Sequence, residues 1–254
     1  MTKQNMLSGL KFKGNIYWTM VLRLLIAMLL FTICRIGFYV FNAGYFPEMT
    51  AGTLLRILYG GLRFDLTAVL YINALNILLT ITPFNFRFNK LYQLVLKYLF
   101  FILNGIAMAA NVADFVYYRF TLRRTTADIF DEFDEGPGAP GLLFRFLIDY
   151  WYASVFLFVI LWLMINLYNR IRVEGPMLKS RISYYTFGIV FLPLIAYLFI
   201  GAVRGGFRHS TRPITLSNAG EFVERSNQTS IVLNTPFSVF RTLGKNKVKK
   251  LEYF

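Results

Sequence analysis

The sequence predicts an all-α integral membrane protein: a bundle of five transmembrane helices, N-terminus inside and C-terminus outside, followed by short membrane-surface helices. Three observations carry this. Of 254 residues, 56% are hydrophobic and only 16% charged, with a mean hydropathy of +0.51. A soluble domain has about a quarter of its residues charged. The apolar residues fall in long continuous blocks, unlike the alternation of barrel strands. Basic residues are shared unequally between the connecting segments.

Composition also excludes other classes. Disordered chains are poor in aromatic residues, and this one has 27 Phe and 16 Tyr. The net charge of +14 does not imply nucleic acid, because in a membrane protein basic residues first mark cytoplasmic loops and lipid headgroups. One Cys and one His rule out an internal disulfide and a Cys/His-rich metal site.

A helix crosses a bilayer with about 20 residues. Five stretches meet that need: 16–41, 53–82, 92–118, 142–168 and 184–203. Lys3, Lys11 and Lys13 precede the first, Arg87 and Lys90 join the second to the third, and Arg170, Arg172, Lys179 and Arg181 join the fourth to the fifth. The other side has no basic residue between 41 and 53, and its Arg119, Arg123 and Arg124 are offset by the acidic residues of 128–135. The excess of Lys and Arg sets the first group inside. The first span is too long for a secretory signal, carries Arg23 and Arg35, and lacks a small-residue cleavage site. Bulky Ile33 before Cys34 argues against lipoprotein acylation, so Cys34 is expected to be buried and inert.

Residues 1–203 thus form the transmembrane domain and 204–254 an extracytoplasmic linker. In the linker, Thr215-Leu216-Ser217-Asn218 offers caps before a short helix over 219–225. Thr235-Pro236 places a cap and an initiating proline before Phe237, Phe240 and Leu243, which recur on one face. Beside Lys245, Lys247, Lys249 and Lys250, that stripe suits either a membrane surface or a packed helix.

Charged groups at membrane depth cost at least ~2.5 kcal/mol each near the centre, so they need partners or water. In the second span Arg56, Gly60, Arg63 and Thr67 share one face, and Gly61, Asp65, Ile72 and Asn76 another, so neighbours are expected on both sides. Arg63 lies roughly 16 Å down that helix, at about 1.5 Å per residue. In the third span Asn104, Ala107, Asn111, Asp114 and Tyr118 share a face, and Gly105, Ala109 and Ala113 form a small-residue ridge for close helix approach. Arg35, Arg56, Arg63, Asp65, Asn111, Asp114, Arg119, Arg145 and Asp149 all belong to the outer half. The inner half holds little beyond Arg23 and Lys97, which can snorkel.

A hydrated, net-basic cavity opening outward accounts for this, with anionic phospholipid headgroups as partner, since arginine forks suit phosphate. The plain alternative is structural ion pairing, such as Arg63 or Arg35 with Asp65 or Asp114. Arg204-Gly205-Gly206-Phe207-Arg208-His209-Ser210-Thr211-Arg212 adds arginines and a flexible Gly pair at the outer interface. The candidate lipid or anion ligands are therefore Arg35, Arg56, Arg63, Arg119, Arg204, Arg208, His209 and Arg212, with Asp65, Asn111 and Asp114 as buried polar partners.

No phosphate loop, nucleophile elbow or zinc-protease helix motif occurs. The acidic run 128–135 lacks the ligand spacing of a calcium loop and reads as a solvated helix before the Gly/Pro linker 136–141. Asn227-Gln228-Thr229 fits a glycosylation sequon, a weak pattern. No internal repeat of the transporter kind stands out.

Gly61-Leu62-Arg63-Phe64-Asp65, Arg123-Arg124-Thr125-Thr126-Ala127-Asp128-Ile129-Phe130, Arg204-Gly205-Gly206, Arg212-Pro213-Ile214 and Leu233-Asn234-Thr235-Pro236-Phe237 occur in that order. In these segments, and in its five spans, the chain resembles the membrane portion of the lipoteichoic acid synthase family, in the alkaline phosphatase/sulfatase superfamily, most closely in its Bacteroidetes-type versions. The resemblance covers most of the chain. It implies a bacterial cytoplasmic membrane and an extracytoplasmic sulfatase-like domain with a threonine nucleophile and a divalent metal. That enzyme would move or hydrolyse phosphoglycerol-type headgroups. The chain stops at Phe254, about where such a domain should begin. It is therefore expected to be the anchor and lipid-presenting module, with no catalytic residue, no cofactor of its own, and its own catalytic domain as partner. Two other functions stay open: a self-contained transporter or channel using Asp65 and Asp114, and a passive anchor whose buried charges are purely structural.

Overall fold

The computed structural model describes residues 12–129, 148–175, 180–208 and 210–244. Lys3, Lys11, most of the acidic run, Arg145, Lys179, His209 and the lysines after 244 lie outside them. The described chain is mostly helical, with apolar helices of membrane-spanning length, and is a multi-pass membrane protein by that measure.

Helix α1 (Ile16–Phe41) starts where the Asn15 side chain accepts the Tyr17 amide at 3.3 Å. Such a cap replaces one of the partners a first turn lacks. Helix α2 (Ala51–Ile72) is capped by Thr50. The sequence predicts one span over 53–82. Instead it breaks at Asn73, and α3 (Ala74–Ile81) leaves α2 at 63°. The cause is a buried amide pair. Asn73 Nδ2 donates to Asn104 Oδ1 at 3.1 Å, and Asn104 Nδ2 donates back to Asn73 Oδ1 at 2.9 Å. Asn76 then donates to the Leu96 carbonyl at 2.8 Å, which turns α3 onto the following helix.

A 3-10 turn (Asn85–Phe88) leads into α4 (Lys90–Thr121). The polar face expected on this helix is its buried face: Asn104, Ala107, Asn111, Asp114 and Tyr118 are all inside. The small-residue ridge is used in part, with Gly105 facing Leu161, while Ala113 is exposed. Helix α5 (Trp151–Asn169) matches the later part of the fourth predicted span; residues 142–147 lie outside the described chain. Helix α6 (Arg181–Arg204) is the fifth.

Helices α1, α2 and α4 pack on one another, with α5 against α4 and α1, and α6 chiefly against α2. The outward faces carry large apolar side chains, including Leu29, Ile102, Phe158 and Leu194. That inversion of the soluble pattern suits lipid contact. Strands were expected nowhere in the spans, but a parallel ribbon forms outside them, between β1 (Phe12–Gly14) and β2 (Ile171–Val173). It ties the start of α1 to the end of α5. This strand end also holds the α3–α4 connection and residues 170–175 after α5. The opposite end holds the α1–α2 connection, residues 122–129 and the described residues after α6.

Arg23 does not merely snorkel. It is buried, with its guanidinium 4.3 Å from the Tyr168 ring centre. Cys34 is buried, its Sγ 3.7 Å from Met108 Sδ.

The Asn73–Asn104 pair should show coupling in a double-mutant cycle. Asn104→Leu strands the Asn73 amide and is expected to cost about 1 kcal/mol, as interhelical hydrogen bonds in membranes do. Asn73→Leu/Asn104→Leu should cost less than the two single changes added. Unfolding in mixed detergent micelles measures this.

Candidate functional site

The described chain after α6 packs back onto the bundle, against α1, α2 and α4. It runs through a 3-10 helix (Leu216–Phe222), a 3-10 turn (Ser226–Gln228), α7 (Thr229–Val232) and α8 (Thr235–Thr242). The expected helix over 219–225 thus begins earlier, ends at Phe222 and is 3-10 throughout. Asn218 Oδ1 accepts both the amide and the hydroxyl of Thr215, at 2.9 Å each, at its start. The cap of α8 is Asn234 rather than Thr235: its Oδ1 accepts the Phe237 amide at 2.8 Å. Residues 230–238 are buried against α1, α2 and α4. The expected apolar stripe splits, since Phe237 is buried edge-on to Phe64 at 5.0 Å while Phe240 and Leu243 stay exposed. Beside Arg35 and Asp65, where the sequence suggests a hydrated cavity, the structure places residues 231–234 of the chain itself.

Arg35 shows why. It sits inside α1, 2% exposed, and Gly61 of α2 leaves the room its guanidinium occupies. Nη2 donates to the Gly61 carbonyl at 3.0 Å and pairs with Asp65. Nη1 donates to the carbonyls of Ile231 (2.5 Å) and Val232. These carbonyls are available because α7 ends at Val232 and α8 begins only at Thr235, so no helical amide claims them. Asn234 Nδ2 donates to Asp65 Oδ1 at 2.8 Å and closes the circuit.

A second pair sits beside the first. Asp114 of α4 receives Arg124 at 3.3 Å, the Thr235 hydroxyl at 2.5 Å and the Thr125 hydroxyl and amide. The geometry depends on Leu122, whose left-handed conformation (φ 52°) turns the chain back after α4. Arg124 also donates to the Ser230 carbonyl at 2.8 Å, and its guanidinium lies 3.6 Å from the Phe38 ring centre. Asn111 Oδ1 accepts the Thr235 amide at 3.0 Å. Burial pushes the Arg124 guanidinium down to about 10, with the Asp114 carboxylate opposing, so it stays charged at neutral pH. Two arginines thus face two aspartates.

The other described candidates lie at the same end but nearer the surface. Arg56 donates to the Glu221 carbonyl at 2.8 Å, and Arg63 stands 3.8 Å from the Glu221 carboxylate. Gly60 seats the Phe222 ring, so the two faces of α2 do meet different neighbours. Arg204 donates to the Thr211 carbonyl at 2.6 Å. Gly205 (φ 79°) ends α6 in the left-handed region, and a Cβ there would stand 2.6 Å from Arg63 Nη2. Arg208 and Arg212 are exposed and make no side-chain hydrogen bond or ion pair among the described residues. Arg119 lies apart, donating to the Phe41 carbonyl at 2.9 Å. His209 is outside the described residues.

The structure therefore brings Arg63, Arg204 and the Gly205 turn together, and separates them from Arg35, which is committed to the chain's own acceptors. Sequence reasoning missed Arg124, Asn234 and Thr235 as members of the buried cluster. Among the described residues no group of three or more His, Cys, Asp or Glu side chains could hold a metal ion. The chain matches no family model, and no curated protein or solved structure matches it significantly.

Removing one partner of a buried pair is costly because the other charge is left alone, typically 3–5 kcal/mol. Arg35→Met should destabilise the chain by about that much, and Arg35→Met/Asp65→Leu should recover a large part of it. Thermal unfolding in detergent gives both values. Equal losses in the single and double variants would contradict the pairing.

Proposed function

We propose that this chain is the membrane-anchoring, headgroup-presenting domain of a lipoteichoic acid synthase-like enzyme. In this reading the end opposite the strands faces away from the cytoplasm, and residues 204–244 lead toward a sulfatase-like, metal-dependent catalytic domain that transfers or hydrolyses a phosphoglycerol-type headgroup. The observation that supports it best is the arginine surface at one end of the bundle. Arg63 is half-exposed and only loosely paired with Glu221, the Gly205 turn lies against its guanidinium, and Arg208 and Arg212 stand uncommitted nearby in sequence. A planar guanidinium with free donors beside a glycine turn suits a phosphate. The basic residues of the strand end, Lys13, Arg87, Lys90, Arg170 and Arg172, support the orientation.

The buried cluster contributes rigidity rather than chemistry. It holds 230–235 against α1, α2 and α4, so the surface and the chain that leaves it keep a fixed relation. A phosphate ester positioned this way would meet its nucleophile with less orientational entropy to lose. The transporter reading gains nothing from Asp65 and Asp114, since an arginine pairs with each.

Native mass spectrometry of the detergent-solubilised chain tests the reading. Arg63→Gln/Arg208→Gln/Arg212→Gln changes only exposed or half-exposed side chains, so folding should hold. Phosphatidylglycerol retention is expected to fall about tenfold, the loss of one or two charge-assisted contacts. Retention equal to that of the unaltered chain would argue for a passive anchor.

A further inference from the structure

The strand end carries a buried cation, to which the first reading gives no ligand. Arg87, in the 3-10 turn before α4, is 3% exposed. Its guanidinium is ringed by aromatics, with centroid distances of 4.9 Å to Tyr184, 5.2 Å to Phe88 and 5.4 Å to Tyr17. Its Nη1 reaches the Thr80 and Ile81 carbonyls only at 3.5 Å, the outer limit of a hydrogen bond, and Nε has no partner. No carboxylate pairs with it: the ion pairs among the described residues are Arg35–Asp65, Arg63–Glu221, Arg124–Asp114 and Arg225–Glu48. A buried cation left without an anion is costly.

Arg87 lines a cavity of about 470 Å³. The first turn of α1 forms one wall, with Asn15, Tyr17 and Trp18, and α6 forms the other, with Phe187 and Phe191. That volume is typical of a small-molecule site. The start of α1, a 26-residue helix, adds the positive end of its dipole to the guanidinium. The walls are apolar and open toward the lipid face, where Trp18, Val21 and Phe187 are exposed. Only 17% of the most apolar stretch of α6 is buried, so most of this helix presents apolar surface on which an acyl chain can lie beside the cavity mouth. A cation at the floor, a helix N-terminus beside it and a greasy mouth call for an amphiphile with an anionic head.

We infer that this cavity binds an anionic phospholipid, with its phosphate on Arg87 at the start of α1 and its acyl chain between α1 and α6. The site is at the opposite end of the bundle from Arg63 and does not depend on the headgroup-presenting reading.

Trp18 supplies the probe. Trp151 and Trp162, both exposed, are replaced by Phe, and the full chain is placed in vesicles of brominated lipid. Brominated phosphatidylglycerol is expected to quench Trp18 with about tenfold higher relative affinity than brominated phosphatidylcholine, as one charge-assisted contact would give. Arg87→Gln should abolish the preference and Arg87→Lys should keep part of it. Asn15→Asp keeps the acceptor that caps α1 and puts a carboxylate in the cavity, so it should also abolish the preference in a chain that folds. Equal quenching by the two lipids in the unaltered chain would overturn the inference. So would a preference that survives both Arg87→Gln and Asn15→Asp. Inorganic phosphate that removes the preference at millimolar concentration would assign the cavity to free phosphate and overturn the lipid.

Discussion

The guanidinium of Arg35 decides how this molecule folds. It lies within a helix of membrane-spanning length, where water is not at hand to solvate it. One carboxylate, Asp65, balances its charge but leaves most of its five N–H groups unmet. Backbone carbonyls are the remaining acceptors, and inside the helices Gly61 offers the one that Arg35 reaches. The chain solves this with a helix break. Between α7 and α8 the carbonyls of 231–233 face inward unclaimed, and the cation takes them. The tail is thereby drawn into the bundle, and Asn234 is set where one amide group both caps α8 and donates to Asp65.

The same logic repeats at Asp114. Each carboxylate on a span takes its arginine from a different element: Asp65 from α1, Asp114 from the turn after α4. Asn234 and Thr235, adjacent in the chain, join the two: Asn234 donates to Asp65, while Thr235 puts its hydroxyl on Asp114 and its amide on Asn111. Charge balance across both pairs leaves this cluster without net charge. It also explains why a polar cluster this dense is compatible with an apolar chain.

Much of this was legible in the sequence, because side-chain periodicity reports faces. The polar stripe of α4 is its buried face, and the Gly60/Arg63 and Gly61/Asp65 faces of α2 meet Phe222 and Arg35 respectively. The destination of 230–235 was not legible, since backbone carbonyls carry no signature in a sequence. Arg124 was hidden for a related reason. Beside an acidic run it reads as a surface charge, and only the left-handed Leu122 returns it to Asp114. The break at Asn73 lies inside an unbroken apolar block, and a single amide outweighs that pattern once Asn104 faces it. The arginines were legible as a cluster but not as two groups, one buried and committed to structure and one on the surface.

Thiol accessibility tests the inserted tail most directly. Cys34 is buried and does not compete, so single cysteines can be added to the native chain. Val232→Cys, on the buried turn, is compared with Ser217→Cys, on the exposed 3-10 helix, for reaction with a water-soluble maleimide in detergent. Labelling at 232 is predicted to be at least ~100-fold slower, because it requires local opening of a segment tied to two buried ion pairs. Equal rates at the two positions would contradict the account.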